Sequence, residues 1–291
     1  MIIVKIQGGL GNQLFQFALA LALKTKNPNE KIGVDLTYYK TKNKRITERK
    51  SFIHAFNIDS FPEATFKELN KTNPLQKIKK LFSKEKKILI INENSTLFLP
   101  SILSCDTNTF LNGYWQSYKY FEEINSVIKK QFSIKISLSV ESEEQKKIIL
   151  KTPTSIGIHI RRGDYLSKYS EIYNQLNLDY YYKGVAYVQK NLNVEKISLF
   201  LFSDDIEWCK QNFKTTEEVY FIENASTKPD YEDLFLMSYC THNIIANSSY
   251  SWWGAWLNTN ENKIIIAPSK WYNNQEPDFN KSIYPSTWTV L

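Results

Sequence analysis

Residues 1–36 read MIIVKIQGGLGNQLFQFALALALKTKNPNEKIGVDL, and the order of patterns in this stretch decides the fold. Met1–Ile6 is a short apolar run of the kind that forms a buried strand. Gln7–Asn12 carries Gly8, Gly9 and Gly11 and reads as a turn. From Gln13 to about Lys26 the chain is rich in Leu, Phe and Ala, with no internal Gly or Pro, so a helix is expected. Lys31–Leu36 reads as a second strand, ending at Asp35. Strand, glycine turn, helix, strand is a βαβ unit, and it implies a parallel sheet.

The same alternation returns in the second half. Strands are expected at Ser155–Ile160, Ser198–Phe202, Val219–Ile222, Asn243–Ala246 and Lys263–Ala267. Helices are expected over 178–192, 230–240 and 252–258. Residues 138–154 mix Ser, Glu and Lys and end at Pro153, which places a boundary there. The expected α/β architecture is therefore two Rossmann-like domains with parallel sheets facing a central cleft. The first would span 1–150 and the second 151–291.

Composition narrows the class. A chain of 291 residues with 42% hydrophobic and 23% charged residues is globular, not disordered, coiled-coil or collagen-like. Lys and Arg number 37 against 30 Asp and Glu, and the net charge of +7 favours anionic partners. Cys105, Cys209 and Cys240 are too scattered for a disulfide framework, and no Cys/His cluster suggests zinc. The apolar run Leu14–Leu23 is too short to span a bilayer and lacks the flanks of a signal peptide. A soluble protein of a reducing compartment is expected. Residues 67–87 are lysine-rich, with Leu75, Ile78, Leu81 and Phe82 at helical spacing. That pattern reads as a solvated surface helix or as a basic helix on an anionic membrane.

In parallel α/β sheets ligands bind beyond the carboxyl ends of strands, and the unusual residues fall there. The turn Gly8–Gln13 opens a helix whose first N–H groups can meet an anion. Asn12 could equally be a helix cap. The second cluster is His159-Ile-Arg161-Arg162-Gly163-Asp164-Tyr165. His159 and Arg161 share a strand face, and a guanidinium at a strand end can grip a phosphate with two hydrogen bonds. Asp164 could accept a proton or pair with Arg162. The third cluster, Ser203-Asp204-Asp205, could hold a base edge or ribose hydroxyl, or cap a helix. The fourth, Asn247-Ser248-Ser249 before Trp252-Trp253, offers small polar groups at a helix start. Its Trp pair suits either core packing or sugar stacking.

Two rival classes have a sequence feature behind them. Gly9-x-Gly11 with Asp35 resembles the start of a dinucleotide fingerprint and suggests an oxidoreductase, but Leu14 stands where the third glycine belongs. The net charge and the 67–87 lysines suggest a non-enzymatic binder of nucleic acid or membrane surface. No Walker loop, Gly-x-Ser-x-Gly elbow, His-Glu-x-x-His or Asp-x-Asp triplet occurs.

Three stretches together are similar to one family. Gly8–Gln16 (GGLGNQLFQ), His159–Tyr165 (HIRRGDY) and Asn247–Trp256 (NSSYSWWGAW) resemble the α-1,2-fucosyltransferases, which include bacterial surface-polysaccharide enzymes and blood-group H enzymes. The resemblance implies a GT-B glycosyltransferase that moves L-fucose from GDP-L-fucose to the 2-hydroxyl of a galactose in a glycan. Inversion without a metal or other cofactor is implied as well. It implies an acceptor-side first domain and a donor-binding second domain. By the same resemblance Arg161 holds the donor diphosphate, His159 lies beside the nucleotide, and Gly11, Asn12 and Gln13 approach the donor. Asp204 or Asp205 falls at a guanine-binding position, and Arg162, Asn247, Ser248 and Ser249 complete the donor set. Asp164 is the candidate general base. Leu14 replaces a common Met, a nearly volume-conserving change. The chain lacks the N-terminal anchor of animal members, so a bacterial cytoplasmic enzyme is expected, with peripheral contact at the inner membrane left open.

Overall fold

The computed structural model describes residues 1–40, 50–65, 88–223 and 228–291, apart from the side chain of Asp164. The lysine-rich 67–87 segment lies outside the described residues. The chain divides into two compact units, Met1–Ser133 and Ile134–Leu291.

The first unit runs β1 (Ile2–Lys5), α1 (Leu10–Lys26), β2 (Ile32–Asp35), α2 (Thr37–Lys40), β3 (Leu89–Asn92), β4 (Thr109–Asn112) and α3 (Asn125–Gln131). Its four strands are all parallel, in the order β2-β1-β4-β3. The expected βαβ unit is present, but α1 starts at Leu10, three residues before Gln13. Gly9 is the cap residue, so Asn12 lies inside the first helical turn and is not the cap. Almost all of α1 up to Leu23 is buried, which fits its apolar character on every face. Its two buried glutamines are both bonded to backbone. Gln16 accepts from the Gln7 N–H at 2.8 Å and donates to the Gly113 carbonyl at 2.9 Å. Gln13 donates to the Lys50 carbonyl at 2.9 Å and accepts from the Phe52 N–H at 3.3 Å.

The second unit runs α4 (Val140–Lys151), β5 (Ser155–Ile160), α5 (Gly163–Ser167), α6 (Leu178–Leu192), β6 (Ser198–Ser203), α7 (Ile206–Asn212), β7 (Glu218–Phe221), α8 (Asp230–Tyr239), β8 (His242–Ile244), α9 (Ser249–Leu257), β9 (Ile265–Ala267), α10 (Phe279–Ile283) and β10 (Thr289–Val290). Six parallel strands stand in the order β10-β9-β8-β5-β6-β7. This is the doubly wound arrangement, with chain order reversing between β5 and β8. The central strands β5 and β6 are buried along their whole length, as strands covered on both faces are.

The expected boundary after residue 150 falls inside this second unit. Residues 139–151 are not a linker, because a carboxylate on α8 holds them. Glu232 accepts from the Ser139 N–H at 2.9 Å and from the Ser139 and Ser142 hydroxyls at 2.6 Å each. Ser139 also caps α4. The tryptophan pair is core: Trp252 and Trp253 are fully buried, Trp252 stacks on Trp256 at 5.0 Å, and its indole N–H bonds the Ile283 carbonyl. Among the described residues no helix is long and apolar enough to cross a membrane.

Candidate active site

The second unit gathers its unusual side chains at the carboxyl ends of β5, β6 and β8. Ile160 of β5 pairs with Ser203 of β6, so the next residues on each strand, Arg161 and Asp204, come level, and then Arg162 and Asp205. Ile158 pairs with Ile244 of β8, so the chains leaving β5 and β8 toward Arg161 and Asn247 emerge at the same edge of the sheet. Register alone therefore brings three of the four expected clusters to the reversal point, where open α/β sheets hold ligands.

The two arginines are braced differently. Arg161 Nη1 lies 3.0 Å from Asp204 Oδ2, and its guanidinium carbon is 5.5 Å from the centre of the Tyr165 ring. Arg162 Nε donates to Asp205 Oδ2 at 3.1 Å, and its guanidinium lies 3.5 Å above the Trp208 ring. The Arg162 N–H donates to Asp204 Oδ1 at 2.9 Å. Asp204 thus ties side chain and backbone of the β5 loop together. A Cβ on Gly163 would stand 2.4 Å from Asp204 Oδ2, so only glycine allows that approach. Asp205 also caps α7, accepting from the Trp208 N–H at 3.3 Å. Both aspartates expected to meet guanine are engaged with the arginines. The backbone of Asp164 lies in α5, whereas its side chain, the candidate base, is outside the described residues.

His159 is 5% exposed. Burial pushes its pKa down to about 3, and the neighbouring Arg161 pushes the same way. The imidazole is neutral at physiological pH. Its Nδ1 is buried with no hydrogen-bond partner among the described residues, and its ring packs 5.6 Å from that of Tyr250. Behind Tyr250, whose hydroxyl bonds the Asp230 carbonyl, a buried Lys228–Asp233 ion pair closes at 2.5 Å. Burial raises the Asp233 carboxyl to about 6 against the pull of Lys228.

On the β8 side, Ser248 is the cap residue of α9, and its side chain makes no capping bond. The first turn of any helix leaves N–H groups without helical acceptors, at the positive end of the dipole. Ser249 opens this turn. Asn247 is a structural hub: its amide donates to the carbonyls of Asn174 and Trp271, each at 2.8 Å, and its own carbonyl accepts from Tyr165 at 3.0 Å. Tyr165 stacks on Tyr173 at 4.1 Å, and Tyr173 lies 5.3 Å from Tyr272. Sequence reasoning named Tyr165 but missed Tyr173 and Tyr272, which lie outside the helices and follow no periodicity.

The fourth expected cluster, Gly8–Gln13, belongs to the first unit. Gly8 has φ +84 and its carbonyl accepts from Tyr39 at 3.0 Å. Gly11 is buried in the first turn of α1, and Asn12 Oδ1 accepts from Gln116 at 2.7 Å. Gln13 braces the turn through its backbone bonds. Asp35, the acid of the dinucleotide reading, is 5% exposed and accepts from the Thr37 N–H at 2.9 Å, so it shapes its own turn. Glu93 and Gly113–Gln116, which the sequence did not single out, stand beside the Gly8 turn. Glu93 accepts the N–H of Tyr114 at 2.6 Å and of Trp115 at 2.8 Å. Burial still leaves its carboxyl above the ordinary value. Trp115 has φ +55, a conformation costing a bulky residue of order 1–3 kcal/mol.

An α-1,2-colitosyltransferase of Escherichia coli is 32% identical over 293 residues, covering 94% of this chain and 93% of the relative. Human galactoside α-(1,2)-fucosyltransferase 1 is 25% identical over 154 residues, covering 50% of this chain and 42% of its own. The crystal structure of fucosyltransferase NodZ from Bradyrhizobium superposes with a TM-score of 0.50 at 12% identity, covering 87% of this chain and 91% of that one. The likeness is one of fold, and the fold is GT-B-like, with two parallel α/β units. The model described as glycosyl transferase family 11 matches residues 1–291, and the chain belongs to that family.

Proposed function

We propose that this enzyme is a galactoside α-1,2-fucosyltransferase. It takes L-fucose from GDP-β-L-fucose and places it on the 2-hydroxyl of a galactose in a glycan, with inversion and without a metal. The second unit holds the donor, and the first serves the acceptor. The observation that carries the reading is Arg161, fixed by Asp204 at the reversal between β5 and β8 and packed against Tyr165, whose hydroxyl bonds the Asn247 carbonyl before α9. A guanidinium and a helix N-terminus there suit the diphosphate of a nucleotide sugar.

In the reaction the bond between fucose C1 and the β-phosphate oxygen breaks, and GDP leaves with its electron pair. The acceptor O2 forms the new bond from the opposite face, and its proton passes to a base. Negative charge grows on the β-phosphate, where a preorganised Arg161 stabilises it. His159, neutral and desolvated, supplies no acid at this position. Asp164 is our candidate for the base, because it lies three residues beyond Arg161, at the start of α5.

Calorimetric titration with GDP-fucose in EDTA, followed by NMR of the product formed from lactose, tests this. Saturable binding and an α-1,2-linked product are expected. Binding that requires added metal, or a product with another linkage, refutes it. The colitosyl relative favours a second reading in donor choice alone. Competition between GDP-fucose and a nucleotide-linked colitose decides between the two.

A further inference from the structure

Asp204 holds one corner of the Arg161 fork, with Nη1 and Oδ2 3.0 Å apart. An aromatic ring beside a guanidinium limits its tilt as well as attracting its charge. Tyr165 supplies that ring, its centre 5.5 Å from the guanidinium carbon. It lies four residues beyond Arg161, in the short helix α5.

The ring is itself pinned. Its hydroxyl donates to the Asn247 carbonyl at 3.0 Å, and it stacks on Tyr173 at 4.1 Å with the two planes 6° apart. Both partners are tied down in turn. The Asn247 amide donates to the carbonyls of Asn174 and Trp271. Tyr173 forms an antiparallel bridge with Tyr272. Beside that bridge the Asn174 N–H donates to the Trp271 carbonyl at 3.1 Å, and the Asn273 N–H to the Ile172 carbonyl at 2.9 Å. The segments that follow β5, β8 and β9 are thus laced together, and Tyr165 crosses from the first to the second.

That crossing has a use. The ring of Tyr165 meets Arg161, and its hydroxyl meets the carbonyl just before Ser248, the cap residue of α9. In the function proposed above, the guanidinium and the α9 entry are the two groups a diphosphate meets together. A phenylalanine would pack on Arg161 equally well, but it would leave the far end of the ring untied.

We propose that Tyr165 is a positioning residue, a strut that sets Arg161 at a fixed spacing from the entry to α9. The strut itself is built from the second unit alone. Its service to a diphosphate rests on the function proposed above.

The test uses the full chain with GDP-fucose and lactose. Steady-state constants are measured for wild type, Tyr165→Phe, Tyr165→Leu, Arg161→Ala and the two double variants. Tyr165→Phe should lower kcat/KM for GDP-fucose roughly fivefold, as loss of one neutral hydrogen bond does. Tyr165→Leu removes ring and hydroxyl and should lower it roughly thirtyfold, with the KM for lactose unchanged within about twofold. Tyr165 also adjoins Asp164, so a mutant cycle decides the route. In the Arg161→Ala background there is no fork to place, and either Tyr165 substitution should cost less than about twofold more. A full further loss in that background overturns the strut. So does wild-type kcat/KM in Tyr165→Phe, because the tie to Asn247 would then set nothing. Should Tyr165→Leu fail to fold, Tyr165→Phe carries the same cycle. Should wild type transfer no fucose, the function above fails, and NMR of the Arg161 Nε–Hε group, assigned by its loss in Arg161→Lys, judges the strut without ligand. Rotation about the Nε–Cζ bond should then be roughly tenfold faster in Tyr165→Leu than in wild type, or roughly fivefold faster in Tyr165→Phe. Equal rates overturn the strut.

Discussion

Replacing His159 by Gln tests the electrostatics of the candidate site through stability alone. In the folded chain the imidazole is held neutral, its pKa pushed from 6.5 down to about 3 by burial first and Arg161 second. The unfolded chain binds a proton near pH 6.5, whereas the folded chain does not. This contribution to stability is present above pH 6.5 and is lost as pH falls toward 3. Between pH 7 and pH 5 the loss integrates to about 2 kcal/mol. Asp233 works in the opposite direction. Its carboxyl is raised from 3.8 to about 6, so below pH 6 the folded chain holds a proton that the unfolded chain has released. Over the same interval it adds about 1 kcal/mol of stability.

The wild-type curve therefore mixes opposed groups, among them His242, whose pKa burial also lowers. The difference between wild type and His159→Gln isolates the imidazole, because glutamine does not titrate. Urea unfolding at pH 7 and pH 5 gives both stabilities by linear extrapolation. Whatever the substitution costs at pH 7, the variant should gain about 2 kcal/mol on wild type when the pH drops to 5. A difference that stays constant within about 0.5 kcal/mol would refute the reasoning, since His159 would then take a proton in the folded state. Water would have to reach its Nδ1, and the desolvated pocket beside Arg161 would not exist.

Two further outcomes follow from the same geometry. Arg161→Ala should lower kcat/KM at least roughly a hundredfold, about 3 kcal/mol, as loss of a preorganised donor to a leaving group does; steady-state kinetics checks this. Gly163→Ala puts a methyl 2.4 Å from Asp204 Oδ2 and displaces the carboxylate that fixes Arg161. Activity should fall at least roughly tenfold through misplacement of the guanidinium, with calorimetry showing weaker GDP binding.

Much of this was legible in the sequence where a local pattern decides the structure. The apolar run before Gly8, the fully buried strands around His159 and Phe202, and the tandem arginines at a strand end all speak for themselves. Three things resisted. Helix α4 looked like a linker because its Ser and Glu residues are polar; it is anchored by Glu232, which lies about ninety residues later. Strand β3 is largely exposed, so Leu89–Asn92 has no burial pattern to read. The Tyr114–Gln116 bend exists because Glu93 captures two N–H groups and Trp115 accepts a positive φ, and no local propensity predicts either. Asp204 and Asp205 were visible as candidates, but their partners were not, since only strand register makes them neighbours of Arg161 and Arg162.

The tandem arginines show how one loop serves both rigidity and chemistry. Adjacent residues leaving a strand point to opposite sides. Arg162 is clamped between Asp205 and the Trp208 ring of α7. Arg161 turns to Tyr165, which is tied to the carbonyl of Asn247 at the entry to α9. Two arginines and two aspartates cancel in formal charge, so the chain's net +7 is not what makes this place attractive to an anion. The attraction comes from direction. A guanidinium carries five N–H donors in a fixed fork, and Asp204 engages Arg161 at Nη1, fixing the plane of that fork. The α9 N-terminus adds the positive end of a helix dipole beside them. On the function proposed above, such a site would discriminate by geometry more than by charge: it would suit a diphosphate that can meet the fork and the helix together, and offer much less to a single anionic oxygen.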